Sequence, residues 1–308
     1  MSQEHSYTIE EVSQLLKVSK LTIYDLVKKG ELPIFRVGRQ MRVDKTDLQI
    51  YIQKNKTGAT PSSNTPSIAT HTKKNKKFII CGQDLVLDLL GKYIEKKLSN
   101  KVLRSHEGSF NGVMALYNGE CDIASLHMYD GDTGEYNTPF LKKIFVSHSY
   151  ILLNLISRRA GFYVQKGNPL QIQSFNDFKT KSLKLINREK GSGARILLDE
   201  QLRIHHVSPS SIEGYYKEEM SHIDVASAVA KGHADVGIGI EKISKLIEVD
   251  FIPLFRERYD IVLLKTPENQ QLIESVKEIL TSVDFQSEVA ALGDYDITQM
   301  GQIIYETL

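Results

Sequence analysis

The chain has 308 residues, 41% apolar and 25% charged, enough for one large globular domain or two unequal ones. A polar N-terminus through Glu11, and a longest apolar run (Tyr150 to Ile156) broken by Asn154, predict no signal peptide, no membrane span and a cytoplasmic location. Two cysteines, Cys81 and Cys121, exclude a disulfide framework or a cysteine metal site. The net charge of +1 conceals a split: Lys and Arg outnumber Asp and Glu 14 to 7 over residues 1–77 and are outnumbered 25 to 31 in the remainder. A basic head on an acidic body points to a polyanion that meets the head alone.

Thr8 is placed to cap a first helix, with Glu11 three positions on to complete a capping box. Ile9, Val12, Leu15 and Leu16 then recur at helical spacing. Ser19 begins a second helix bearing Leu21, Ile23, Leu26 and Val27, which Gly30 stops and Pro33 keeps from continuing. Two short helices so close together predict a helix-turn-helix with Leu15, Leu16, Ile23 and Val27 in its core. Ile34 to Val37 and Gln40 to Val43 read as strands joined by Gly38-Arg39, so that Arg36, Arg39 and Arg42 stand on or beside a projecting wing. Asp44 caps a third helix with Leu48, Tyr51 and Ile52.

Residues Tyr7 to Val12, Val18 to Tyr24, Gly30 to Pro33 and Arg36 to Val43 resemble the excisionase-type winged helix-turn-helix, a relative of the MerR DNA-binding domain. The resemblance implies a mainly-α DNA-binding domain over residues 1–54, its second helix in the major groove and its wing on backbone or minor groove. The candidate contacts are Lys20, Thr22, Tyr24 and Lys28 on that helix and Arg36, Arg39 and Arg42 on the wing. Cationic side chains there supply salt-dependent affinity through phosphates, while Thr22 and Tyr24 meet base edges or phosphates.

Residues 55–77 lose the apolar pattern, with Ile68 the lone large aliphatic side chain. Such a segment cannot bury enough surface to offset its ordering entropy and reads as a flexible linker ending in Lys73, Lys74, Lys76 and Lys77.

From Phe78 to Leu308 short apolar strands alternate with amphipathic helices, the pattern of an α/β fold. Phe78 to Cys81, Val102 to Arg104 and Ile123 to Leu126 read as strands, separated by helices over about Asp84 to Lys97 and Ser109 to Asn118. Tyr150 to Ser157 is a longer apolar segment; further strands follow at Leu183 to Ile186, Val236 to Ile238 and Tyr259 to Leu264.

The segments Glu107-Gly108-Ser109, Gly119 to Ala124, His127, Thr133 to Asn137, Asn187-Arg188, Gly191 to Arg195, Ser221-His222, Gly232 to Gly239 and Glu257 to Asp260 resemble the type II periplasmic-binding-protein fold in its sensor form. The region is similar to molybdate-binding-type domains fused to helix-turn-helix heads. This implies a two-lobed α/β domain over residues 78–308 that closes on a ligand. One lobe holds about Phe78 to Ser157 plus the C-terminal part, the other about Arg158 to Leu254. Ser109 and Ser192 with Gly193 would open helices toward the cleft from opposite lobes, where free N–H groups and the helix dipole favour an anion. Arg188 and Arg195 are candidates to supply positive charge, and His127 and Tyr259 to line the cleft.

Two departures weaken the oxyanion assignment. Ala194 stands where the family commonly has a hydroxyl, and Asp84 follows the first strand where oxyanion binders place a serine. Asp84 either caps its own helix or meets a cationic part of the ligand. The ligand expected is molybdate, tungstate or a carboxylated or amino-acid-like metabolite. His205-His206 has no third ligand at metal spacing and is read as a loop pair. The function expected is a homodimeric transcriptional regulator of double-stranded DNA, without cofactor or enzymatic activity. The alternatives are an excisionase-like architectural factor and an enzyme acting in the cleft.

Overall fold

The computed structural model describes residues 6–38, 40–54 and 77–307. The wing residue Arg39 and the linker expected over residues 55–77, apart from Lys77, lie outside the described residues. The chain divides into two units, Met1–His71 and Thr72–Leu308.

The first unit runs β1 (Ser6–Thr8), α1 (Ile9–Leu16), α2 (Lys20–Lys28), β2 (Phe35–Val37), β3 (Gln40–Asp44) and α3 (Lys45–Lys54). The capping box forms: Glu11 N–H donates to the Thr8 hydroxyl and Thr8 N–H donates to the Glu11 carboxylate at 2.7 Å. The Ser19 hydroxyl accepts from Thr22 N–H and starts α2. Gly30, at φ +73°, ends it with Glu31 N–H bonded back to the Leu26 carbonyl, a turn few side chains tolerate. A strand the periodicity does not announce, β1, pairs antiparallel with β3, which also pairs with β2. Ile9, Val12, Ile23, Leu32, Val43 and Leu48 form the core. Leu15 does not join it and is 57% exposed, because about 100° per residue turns it away from the face Leu16 shares with Val12.

The second unit is an α/β body. Its first half carries β4 (Phe78–Cys81), α4 (Leu85–Leu98), β5 (Val102–Ser105), α5 (Ser109–Tyr117), β6 (Ile123–Leu126) and α6 (Thr138–Ile144). A 15-residue strand, β7 (Tyr150–Val164), leads out of it. There follow α7 (Asp177–Thr180), β8 (Leu185–Arg188), α8 (Gly193–Ile204), β9 (Glu218–Glu219), α9 (His222–Ala230), β10 (Val236–Ile240) and α10 (Glu241–Ile247). A second 15-residue strand, β11 (Asp250–Leu264), returns to the first half, which α11 (Gln270–Leu280), α12 (Val283–Ala291) and β12 (Ile303–Glu306) complete.

These strands form one sheet in the order β5-β4-β6-β11-β7-β10-β8-β9, with β12 paired to β7. The two long antiparallel strands connect two lobes. In lobe one, α4, α11 and α12 pack on one face of the sheet and α5 and α6 on the other. Lobe two repeats the sandwich with α8 on one face and α9 and α10 on the other. The strands extend further than the apolar runs announce. Arg158-Arg159 interrupts the first run and Arg256-Glu257-Arg258 the second, yet both pairs of segments continue through the hinge, where Glu257 lies opposite Arg158 and Arg258 opposite Ser157.

Candidate functional site

On the first unit, Lys20, Thr22, Tyr24 and Lys28 are all exposed on α2, whose Ile23 is buried. Their availability differs. Lys20 Nζ sits 2.5 Å from the Glu10 carboxylate, and the Thr22 hydroxyl is 2.9 Å from the Ser19 hydroxyl that caps the helix. Arg42 is half-buried and donates to the Ser6 hydroxyl at 2.9 Å. Lys28 and Arg36 are exposed, with no partner among the described residues. Leu21, which the apolar spacing groups with Ile23, Leu26 and Val27, is instead 74% exposed at the start of α2, one turn before Tyr24.

In the body, a cleft of about 830 Å3 opens between the lobes. Its walls come from the carboxyl ends of parallel strands, where open α/β sheets leave the crevice between strand and following helix. Gln83 and Asp84 follow β4, Gly108 and Ser109 follow β5, and His127 follows β6. From lobe two come Arg188 at the end of β8, Ser192 and Gly193 at the start of α8, His222 after β9, and Ile240 closing β10.

Its floor is a buried charge network at the hinge. Arg158 Nη1 donates to Asp84 Oδ2 at 2.5 Å and Nε donates to Glu257 Oε1 at 2.7 Å. The guanidinium lies over the Tyr259 ring, 4.5 Å from its centroid. Asp84 accepts again, from Tyr295 OH at 3.0 Å and from Val86 N–H at 2.9 Å, the second bond capping α4. The other oxygen of Glu257 is 2.9 Å from His127 Nδ1, an ion-pair distance at an angle short of a good hydrogen bond. Tyr259 OH is 2.8 Å from the Ser125 hydroxyl. Burial pushes the Glu257 carboxyl up, but Arg158 and His127 outweigh it and hold it at about 2. Burial also opposes the Arg158 charge, and Glu257 and Asp84 more than offset it.

Helix α8 reaches the floor because Gly193 has no side chain. A Cβ there would fall 2.5 Å from the His127 ring. Gly82 is similar: at φ +142°, a Cβ would overlap the Ser125 hydroxyl. The lobes meet through Gln83 and Arg188, 2.7 Å apart, and through Phe110 N–H donating to the Gly191 carbonyl at 2.9 Å.

The structure thus places Asp84, Ser109, His127, Arg188, Ser192, Gly193 and Tyr259 on the cleft wall. Arg195 is not there. Its Nε faces both Asp199 oxygens at 3.1 Å, its Nη1 faces Glu218 at 3.0 Å, and it stacks on Tyr215 behind α8. The i,i+4 carboxylate is the reason: Asp199 lies on the same helix face as Arg195 and draws it away from the cleft. Ser192 caps α8, accepting from Arg195 N–H and donating to the Glu189 carbonyl. The Ser109 hydroxyl accepts from His127 N–H. His205 bonds the Gln201 carbonyl and stacks on Phe175. Among the described residues, no group of three His, Cys, Asp or Glu is arranged to hold a metal ion.

Arg158, Glu257 and His222 are the site residues that sequence reading missed. The signal for the first two was present: charges that interrupt strand-forming apolar runs need partners when buried. His222 gave none beyond its place after Ser221, the cap of α9.

Comparison with known proteins agrees with this architecture. A family model described as a helix-turn-helix domain matches residues 6–56, and one described as a PBP superfamily domain matches residues 91–281. Protein YvgK of Bacillus subtilis (strain 168) is 46% identical over 311 residues, covering 100% of each chain. Among solved structures, the tungstate ABC transporter from Geobacter sulfurreducens superposes with a TM-score of 0.54 at 13% identity, over 70% of this chain and 98% of that one. The effector-binding domain of a BenM variant superposes with a TM-score of 0.50 at 13% identity, over 71% of this chain and 98% of that one. At such identities the likeness is one of fold. No helix among the described residues is long and apolar enough to cross a membrane. The chain belongs to the PBP superfamily and to the family of Bacillus subtilis YvgK, with a helix-turn-helix domain ahead of its two-lobed, ligand-binding-type body.

Proposed function

We propose that the chain is a ligand-responsive, DNA-binding transcriptional regulator of the cytoplasm, acting as a homodimer. The observation that carries this reading is the pairing, in one chain, of a helix-turn-helix whose exposed helix bears Lys28 and Tyr24 with a hinged cleft of metabolite size. A ligand that prefers one lobe arrangement shifts the equilibrium between arrangements, and a dimer converts that shift into a change in how two heads meet an operator with two-fold symmetry. The body's role in this reading is binding rather than turnover.

The ligand is a small organic metabolite rather than a bare oxyanion. The cleft is far larger than an oxyanion needs, and the two arginines expected to grip one are committed: Arg188 to Glu189 and Gln83, Arg195 to Asp199 and Glu218. Fluorescence anisotropy of the full-length protein on duplex DNA at low ionic strength, with and without the small-molecule fraction of a cell extract, tests the reading. Binding that the extract strengthens or weakens supports it. No binding in either condition sinks it.

A further inference from the structure

A single exposed leucine needs no explanation, but Leu21 stands where a functional side chain is due. It is the second residue of α2. About 200° of helical turn separates it from the buried Ile23, so it projects almost directly away from the core. Tyr24, Asp25 and Lys28, three, four and seven positions on, share its side of the helix and are exposed. The polar neighbours of Leu21 are engaged within the head. Lys20 Nζ is 2.5 Å from the Glu10 carboxylate. The Thr22 hydroxyl is 2.9 Å from the Ser19 hydroxyl, which itself accepts from Thr22 N–H. Of the first four side chains of α2, Leu21 alone is free to meet a new surface. That surface is not apolar protein by the look of its surroundings: Lys28 stands on the same side of the helix, and cationic residues outnumber acidic ones 14 to 7 over residues 1–77. Leu15 and Val18 are exposed as well, but neither belongs to α2.

We propose that Leu21 is a specificity determinant that reads thymine, packing its side chain on the C5-methyl group in the major groove. The inference rests on the reading of the chain as a DNA-binding regulator and adds the base that α2 selects. The first residues of a helix lying in the groove are the ones that reach base edges, and Leu21 is at that end. A leucine has neither donor nor acceptor, so the hydrogen-bonding pattern of the bases is closed to it. Among the four bases, thymine alone offers a methyl group on the major-groove edge. Lys28, two turns along the same side, suits a phosphate, a contact that positions the helix without reading sequence. Packing one methyl group against one leucine takes apolar surface of both out of water, which is worth about fourfold in affinity.

The test begins with selection of duplexes from a randomised DNA pool by the full-length protein. The selected duplex is then remade with deoxyuridine in place of one thymidine at a time, which removes the methyl group and keeps the base pair. Fluorescence anisotropy reads the affinities of wild type, Leu21→Ala and Leu21→Met. At one thymine position, repeated in each half-site, uracil is expected to weaken wild-type binding about fourfold. Leu21→Ala loses that sensitivity, and Leu21→Met, which keeps an apolar reach, retains it. Both variants should melt within about 1 °C of wild type, because the side chain is exposed, so that folding does not enter the comparison. Absence of any uracil effect in wild type overturns the proposal, as does an effect that survives Leu21→Ala undiminished. A Leu21→Ala variant that keeps the wild-type uracil profile but loses oligomeric mass in light scattering also overturns it, and gives Leu21 to a contact with a second copy of the chain. A protein that binds no duplex sinks the regulator reading and this one together, whereas binding with a uracil profile independent of Leu21 sinks this one alone.

Discussion

In the helix-turn-helix unit, Lys28 and Arg36 stand in water with no partner among the described residues, while in the cleft all four lining cations are matched by carboxylates or carbonyls. The two regions therefore use the same residue types for different physics. Exposed charge attracts a polyanion over a Debye length and responds to salt. The charges of Arg158 and Arg188, matched and buried, are spent on holding geometry, and recognition falls to short-range hydrogen bonds and apolar contact.

The contrast is broken most forcefully at the hinge. Replacing Arg158 by Ala leaves Asp84 and Glu257 buried without their counter-charge, a change that costs about 3–5 kcal/mol when one partner of a buried pair is removed. For a body of this size the melting temperature should fall by about 10 °C, measured by circular dichroism or scanning calorimetry. Replacing Lys28 by Ala should leave it within about 1 °C, as for other exposed surface positions. Equal losses at the two positions would show that the hinge network holds nothing together.

The second test runs in the other direction. A Lys28→Ala, Arg36→Ala double variant should bind duplex DNA more weakly on every sequence, and the slope of log affinity against log salt should shrink by about 2, one for each lost phosphate contact. Arg158→Ala should leave that slope as it is. Anisotropy titrations between about 50 and 200 mM KCl separate the outcomes.

How far each region could be read in the sequence follows the same division. The head was legible because its determinants are local. Thr8 with Glu11, Ser19 with Thr22, and Gly30 all act within four residues of chain, and each forms the cap or stop its spacing announces. The short strand β1 was not legible, since its partner β3 lies 34 or more residues on in the chain. The body's α/β alternation and glycine-serine helix starts were legible for the same local reason. Its chemistry was not, because it is built from long-range pairs. Asp84 meets Arg158, and Arg158 meets Glu257, across 74 and 99 residues of sequence. Arg195 shows the converse error. Its position beside Ser192 suggested the cleft, but a carboxylate one turn along its own helix decides where it points.

Acid should distinguish the two kinds of buried group. His222 has its folded pKa depressed below the ordinary 6.5, so the unfolded chain takes up a proton first as the pH falls. Stability is then lost below about pH 6.5, by up to about 1.4 kcal/mol per pH unit for one proton. Glu257, held at about 2 against an ordinary 4.5, contributes stability that is complete above pH 4.5 and disappears as the pH falls toward 2. Urea unfolding from pH 7 to 3 should show both losses in wild type, and His222→Leu should remove the upper one and leave the lower. A variant whose profile overlays wild type above pH 5 would mean that His222 is already protonated in the folded protein.

The smallest effect is expected on α2, and it sharpens the comparison within the head. Lys20 and Lys28 share the exposed side of one helix, but Lys20 is within 2.5 Å of the Glu10 carboxylate and Lys28 has no described partner. Docking on a phosphate requires Lys20 either to leave Glu10 or to bring that negative charge toward the DNA, and both reduce what it contributes. Lys20→Ala should therefore weaken DNA binding less than Lys28→Ala does, and Glu10→Gln, which frees Lys20, should strengthen it with a steeper salt dependence. If Glu10→Gln leaves affinity and slope unchanged, Lys20 makes no phosphate contact, and the stripe it shares with Tyr24 and Lys28 meets DNA only toward its C-terminal end.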